Sequence, residues 1–423
     1  MERRVVITGI GAITPIGNNI EEFWNGIKTQ KCGIDEITRL DTSDLKVKLA
    51  AEVKNFNAEE HFDKRTARRM DLYSQYAVVA SREALKSSGI TEENTDMTRV
   101  GIVIGSGIGG LVTMQKDIGA CETKGPDRVS PMFIPMGIAN MATGNVAIDL
   151  GLKGESVAMV TACASGTHSI GESYRMIKHG YQDAVVAGGT EAPITKVGIA
   201  GFQNIKALTT TTDKNRASIP FDAERSGFVM GEGAGVVVLE ELEHAKKRGA
   251  HIYAEIVGYG ASSDAYHITS PSPDGEGAAR AMKSAIEDAK ISPENITYIN
   301  AHGTSTHLND VGETMAIKKV LGEEASKKVL VSSTKGNTGH LLGAAGGVEA
   351  IVCIKAIEEN YVPATINYKV EDPECDLDIV PNVGRNVNVE YAMSNSLGFG
   401  GHNASIISVS YTHLRAHETR RHL

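Results

Sequence analysis

Residues 160–168 read VTACASGTH, and with the preceding SVAM they make an apolar run that passes through one cysteine into small residues. A packing cysteine usually has bulkier apolar neighbours, a disulfide cysteine needs a partner, and a metal-binding cysteine needs a second ligand nearby. Cys163 has none of these in view. The pattern predicts a buried strand over 156–162. A helix follows from about Cys163, marked by Ile170, Tyr174 and Ile177 and ending near Gly180. A thiol at a helix N-terminus is acidified by unpaired N–H groups and the helix dipole. Ala162, Ala164, Ser165 and Gly166 leave room for a substrate. On this stretch alone a buried free cysteine fits as well as a nucleophile.

Working outward, the same strand-to-helix alternation fills the chain. VVITGIG (5–11), VGIVIG (100–105), AVVAGG (184–189) and GVVVLE (235–240) read as buried strands. Met70, Tyr73, Ala77, Ala80 and Ala84 predict a helix over about 66–87, closed by Gly89. After ELEHAKKRGA (241–250) a second series begins. Its strands are IYAEIVGYG (252–260), ITYINAHG (296–303), KVLVSST (328–334) and SNSLGFGG (394–401). Helices are predicted over 275–289, 312–321 and 343–357, the last apolar almost all round and therefore central. Two successive series predict an α/β protein of two stacked halves, 1–249 and 250–410. YTHLRAHETRRHL (411–423) has no apolar period and reads as a disordered or non-native tail.

The formal net charge of −9 excludes a general nucleic-acid binder. Five scattered cysteines with no CxxC pair point to a reduced, cytoplasmic protein without a structural zinc site, and no metal ligands are assigned. The opening MERRVVITGIGAITPIG imitates a signal peptide, but Thr8, Gly9, Gly11, Thr14 and Pro15 interrupt it. No apolar stretch approaches the roughly 18 residues of a membrane span. GSGIGG (105–110) lacks the spacing of a dinucleotide-binding loop.

Three distant segments change the weight on Cys163. NAHGTST (300–306) places His302 at a strand end. STKGNTGHLLGAAGG (333–347) carries Lys335 and His340 in a loop before the most apolar helix. NSLGFGGHNAS (395–405) puts Phe399 in a glycine turn. Strand ends of α/β sheets are where catalytic loops collect.

TACASG, PFDAERSGFVMGEGAG (220–235), NAHGTST, STKGNTGHLLGAAGG and GFGGHN, in this order, resemble the β-ketoacyl-acyl-carrier-protein synthases of the thiolase superfamily, most closely the elongating type II enzymes. The resemblance runs from about Arg4 to Val409. It implies a five-layered αβαβα thiolase-like fold, a homodimer, and acyl and malonyl substrates carried by 4'-phosphopantetheine on acyl carrier protein, with no cofactor of the enzyme's own. Cys163 would take the acyl chain, His302 and His340 would stabilise the malonyl-derived enolate, and Phe399 and Cys163 N–H groups would hold the oxyanion. Lys335 would order the site through Glu349.

Thr304, Thr306 and Thr269 match positions along the phosphopantetheine arm, although turn-forming threonines fit the local sequence too. Phe399 matches a gate to the acyl pocket, Ile108 a pocket-lining position supplied within the chain or from a partner subunit, and Phe202 a further lining residue. Lys64, Arg65, Arg68 and Arg69 in DKRTARRM (63–70) oppose a helix dipole at its start, a local cost that points to an acidic partner. Arg65, Arg68 and Arg69 match the family's carrier-protein docking patch; a solvated basic helix end is the alternative. The rival functions are a ketosynthase of polyketide or specialised lipid assembly and a non-catalytic chain-length partner. The joint presence of Cys163, His302, His340 and Lys335 argues against the second.

Overall fold

The computed structural model describes residues 2–411, so residues 412–423 of the predicted tail lie outside the described residues. Runs such as VGIVIG carry no polar alternation, and every residue of that strand is buried, as expected for strands covered on both faces. Ten strands share one sheet: β1 (Val5–Ile13), β2 (Val100–Gly105), β3 (Ser156–Val157), β4 (Ala184–Glu191), β5 (Gly233–Glu241), β6 (Ala254–Ser263), β7 (Ile296–Asn300), β8 (Leu330–Ser332), β9 (Tyr391–Gly398) and β10 (His402–Val409). Their order is β8-β7-β9-β10-β6-β1-β5-β4-β2-β3.

The sheet is two five-strand sets joined edge to edge, where Val5–Ile7 of β1 pair antiparallel with Ala254–Ile256 of β6. One set runs β1-β5-β4-β2-β3 and the other β6-β10-β9-β7-β8, the same order strand for strand. The senses match as well: antiparallel, antiparallel, parallel, parallel in each. Five helices build the layers: α1 (Leu72–Ser88), α2 (Ser165–Lys178), α3 (Glu276–Ala289), α4 (His307–Ser326) and α5 (Ala345–Glu359). Helix α1 packs on the first set, and α3, backed by α4, on the second. Helices α2 and α5 touch both sets and form the central layer. The result is a five-layered αβαβα stack.

The central layer explains the glycine clusters. A Cβ on Gly166 would lie 2.8 Å from the Gly347 nitrogen, and one on Gly346 would lie 2.1 Å from Thr167 Oγ1. Only glycine lets the starts of α2 and α5 approach this closely. Each of these helices is preceded by a 3₁₀ turn, Ala162–Ala164 and Leu342–Ala344, whose first residue has positive φ (+50° at Ala162, +48° at Leu342). The two turns are therefore conformational counterparts, with Cys163 matched by Gly343.

Three expectations are corrected. The strand predicted over 156–162 pairs only at Ser156 and Val157, is not buried, and lies at the sheet's edge. Beyond it the chain leaves the ladder to seat Cys163. The α-helix begins at Ser165, so Cys163 sits in the 3₁₀ turn before it. The helix over 66–87 is two helices, Lys64–Ala67 and α1, because Asp71 leaves helical geometry to cap Tyr73 N–H. Arg65 lies in the short helix and Arg69 beyond its end, so the like-charge spacing of four between them is not a repulsive pair on one helix face.

Candidate active site

Parallel strands send their following loops to a common rim. In the second set His302 lies just past β7, Lys335 and His340 past β8, and Phe399 past β9; in the first set Cys163 follows β3. Phe399 occupies a three-residue hairpin loop between Gly398 and His402, with Gly400 (φ +86°) and Gly401 (φ +74°) supplying the left-handed positions.

These loops enclose a cavity of about 90 Å³ lined by Cys163, His302, His340 and Phe399 together with Thr269, Thr304, Thr306 and Phe202. The His302 and His340 rings meet edge to face with centroids 5.2 Å apart, and Phe228 packs on His340 at the same distance. Phe202 contacts both Phe228 and Phe399. The N–H groups of Phe399 and of Cys163 itself face the Cys163 sulfur. Thr304 and Thr306 hydroxyls are 2.9 Å apart.

Burial dominates the electrostatics. It drives both histidines well below the usual imidazole range, helped by the nearby Lys335 charge, so both are neutral at physiological pH. Their Nδ1 atoms have no hydrogen-bond partner among the described residues. The acidified thiol expected from the sequence is not found. Burial pushes the Cys163 thiol up to about 12; Lys335 pulls it down, Glu191 pushes it further up, and the two facing N–H groups favour the thiolate.

Lys335 is buried, not a surface loop lysine. Its ammonium contacts the Glu349 carboxylate and the His302 carbonyl, which fixes the backbone that carries the imidazole. Ile108 does not line the cavity but packs with Phe202, Leu342 and Cys163 in the adjoining apolar cluster. Arg65, Arg68 and Arg69 are exposed.

Sequence reasoning missed Glu313. Its carboxylate accepts the His302 N–H at 2.8 Å and the Gly303 N–H at 2.9 Å, and burial pushes its carboxyl up to about 7. It also missed Phe228, although that residue stands inside the motif PFDAERSGFVMGEGAG. Glu191 was missed as well: it terminates β4, is buried, and accepts the Gly343 N–H at 3.0 Å. A carboxylate ending a strand whose only other polar residue is Thr190 is the signal that could have found it.

The layers and the gathered loops define a thiolase-like condensing-enzyme architecture. Residues 2–245 match the family described as Beta-ketoacyl synthase, N-terminal domain, and residues 253–369 match Beta-ketoacyl synthase, C-terminal domain. The 3-oxoacyl-[acyl-carrier-protein] synthase 2 of Staphylococcus aureus (strain N315) is 55% identical over 405 residues, 96% of this chain and 98% of that protein. A beta-ketoacyl synthase from Burkholderia phymatum STM815 superposes with a TM-score of 0.90 at 37% identity, covering 96% and 99% of the two chains. A ketosynthase in complex with its type II polyketide acyl-carrier protein superposes with a TM-score of 0.90 at 34% identity, covering 97% and 100%. The chain belongs to the β-ketoacyl synthase family. No helix among the described residues is long and apolar enough to cross a membrane.

Proposed function

We propose that this chain elongates fatty acids by two carbons through decarboxylative Claisen condensation. The observation that carries this reading is the convergence of Cys163, two neutral histidines and two sulfur-facing N–H groups on one cavity. Cys163 attacks the thioester of an acyl carrier protein, and the N–H groups of Cys163 and Phe399 hold the tetrahedral oxyanion. Collapse breaks the bond to the phosphopantetheine sulfur, which leaves as a thiol with the cysteine's proton. Malonyl-carrier protein then loses CO₂; the remaining electron pair forms an enolate whose oxygen accepts hydrogen bonds from His302 and His340. A neutral imidazole serves as donor there because no proton needs to be removed. The enolate carbon attacks acyl-Cys163, breaks the bond to the cysteine sulfur and yields 3-oxoacyl-carrier protein, while the released thiolate takes a proton from solvent to restore the thiol.

Thr269, Thr304 and Thr306 are the proposed contacts of the phosphopantetheine arm, and Phe399 is the gate. Phe399 lines the cavity beside Cys163, and its glycine neighbours Gly400 and Gly401 allow the backbone change that opening the gate requires. Arg65, Arg68 and Arg69 form the proposed docking patch for the acidic carrier. Residues 1–249 and 250–410 are the two thiolase-like halves, supported by their matching strand order. A cytoplasmic homodimer is proposed, supported by the half-exposed edge strand β3 and by exposed Ile118, Ile134, Ile148 and Val160. Identity of 55% to the fatty-acid type enzyme, against 34% to the polyketide one, favours fatty-acid elongation.

Intact-protein mass spectrometry after mixing with acyl-carrier proteins of graded chain length tests the reading: Cys163 gains the acyl mass. Cys163→Gln abolishes condensation yet leaves malonyl decarboxylation. Loss of both activities would overturn the division of labour between the cysteine and the histidines.

A further inference from the structure

VTACASGTH ends in one histidine and GFGGHN holds another, and neither lines the cavity. His168 stands in the first turn of α2, and His402 opens β10. Their rings meet edge to face with centroids 6.4 Å apart. The contact joins the two halves of the chain at the site, because His168 reaches back to the Cys163 turn and His402 closes the Phe399 hairpin.

On the cysteine side, His168 Nδ1 lies 3.0 Å from Thr161 Oγ1 and 3.1 Å from the Ala164 carbonyl oxygen. The carbonyl only accepts, so a ring proton on Nδ1 makes this contact a hydrogen bond. Thr161 precedes the Ala162–Ala164 turn and Ala164 ends it, so one nitrogen spans the turn that carries Cys163. Tyr259 of β6 meets the same imidazole edge to face, also at 6.4 Å. Its hydroxyl donates to Glu172 at 3.1 Å, and the Arg175 guanidinium lies 4.5 Å from its ring centroid. The His168 ring is therefore backed by a fixed neighbour.

On the hairpin side, His402 pairs with Gly398, and its Nε2 would lie 3.0 Å from a Cβ placed on Gly400, the residue after Phe399. Gly398 packs on the cysteine turn directly. A Cβ there would lie 2.7 Å from the Thr161 carbonyl oxygen and 3.3 Å from the Cys163 nitrogen. Both ends of the hairpin are thus referred to one turn, Gly398 by contact and His402 through His168.

We infer that His168 is a positioning residue for thioester transfer: through His402 it couples the Cys163 turn to the Phe399 hairpin, holding their two N–H groups at the separation one oxyanion needs. The inference rests on the condensing function proposed for the Cys163 site. Donors from different halves of the chain act on one oxygen only while that separation is kept. Burial holds His168 below the usual imidazole range, so at pH 8 its removal takes no charge away from the thiol.

The test compares two reactions of Cys163 at pH 8, both read by intact mass. Acylation by an acyl-carrier protein passes through an oxyanion; alkylation by iodoacetamide does not. His168→Leu lowers the saturating acylation rate about tenfold, leaves the half-saturating carrier concentration unchanged and alters alkylation by less than about twofold. His168→Asn puts an NH₂ group where Nδ1 stands but has no ring, and it lowers acylation about threefold. His402→Ala causes the same fall, and the two together fall no further, because they break one contact. His402→Phe restores a ring and recovers most of the His402→Ala loss, which decides the matter if His168→Leu does not fold. Equal falls in acylation and alkylation, or full additivity of His168→Asn with His402→Ala, would overturn the coupling and leave both histidines as packing residues. Absence of acylation in the unmodified protein would instead remove the condensing function itself.

Discussion

The ammonium group of Lys335 is buried against the carboxylate of Glu349, with side-chain exposures of 1% and 4%. One member of such a pair cannot be removed cheaply, because the other is left as an uncompensated interior charge. Lys335→Met is expected to lower unfolding free energy by about 3–5 kcal/mol. Lys335→Met/Glu349→Leu is expected to recover most of that loss. Urea unfolding of the three proteins checks it; equal stability of the single and double variants would contradict the pairing argument.

The neutral Cys163 thiol has a kinetic consequence. Burial pushes it up to about 12, so the thiolate fraction keeps growing through the alkaline range. The iodoacetamide rate of the unacylated enzyme should rise about tenfold per pH unit from about pH 7 to about pH 10. A plateau beginning near neutrality would show that the helix start prevails over desolvation after all.

His302 and His340 make stability fall in mild acid. Their native pKa values lie well below 6.5, so below that pH the unfolded chain binds protons that the native state does not. Each histidine then costs about 1.4 kcal/mol per pH unit. Other buried acids, Glu313 among them, titrate in the same window with the opposite sign. The clean observable is therefore the difference from His302→Asn/His340→Asn. Relative to the unmodified enzyme, that variant should gain about 2 kcal/mol on going from about pH 6.5 to about pH 5.5. Parallel stability curves would mean that the imidazoles are charged in the native state.

Charge reversal at Arg68 and Arg69 should raise KM for acyl-carrier substrates several-fold while leaving turnover of short thiol analogues unchanged. Both guanidinium groups are exposed, so the fold should tolerate the change. Equal loss on both substrate types would remove the docking role.

Ile148 is 81% exposed on a helix of the first half, an unusual position for a large apolar side chain unless another surface covers it. Ile148→Glu should shift the molar mass measured by light scattering from dimer toward monomer. A monomeric unmodified protein would refute the proposed homodimer outright.

Much of the architecture was legible because burial leaves a periodic trace. Strands such as β2, and the all-round apolar helix α5, follow from residue pattern alone. The failures are local and have physical causes. SVAMVTA has the composition of a strand, yet only Ser156 and Val157 find ladder partners. The predicted helix over 66–87 breaks because Asp71 satisfies the N–H groups of Tyr73 and Thr113, an alternative that periodicity does not register.

The chain's sequence by itself determined the order of elements, the two-series plan and the small set of glycine-flanked residues at strand ends. Tertiary structure alone decided how those residues meet. It matched Cys163 with Gly343, placed Glu191 at one of the two turns and left the other open. It also reversed the expected acidity of the thiol, because desolvation depends on what surrounds a group in space and not on its neighbours in the chain.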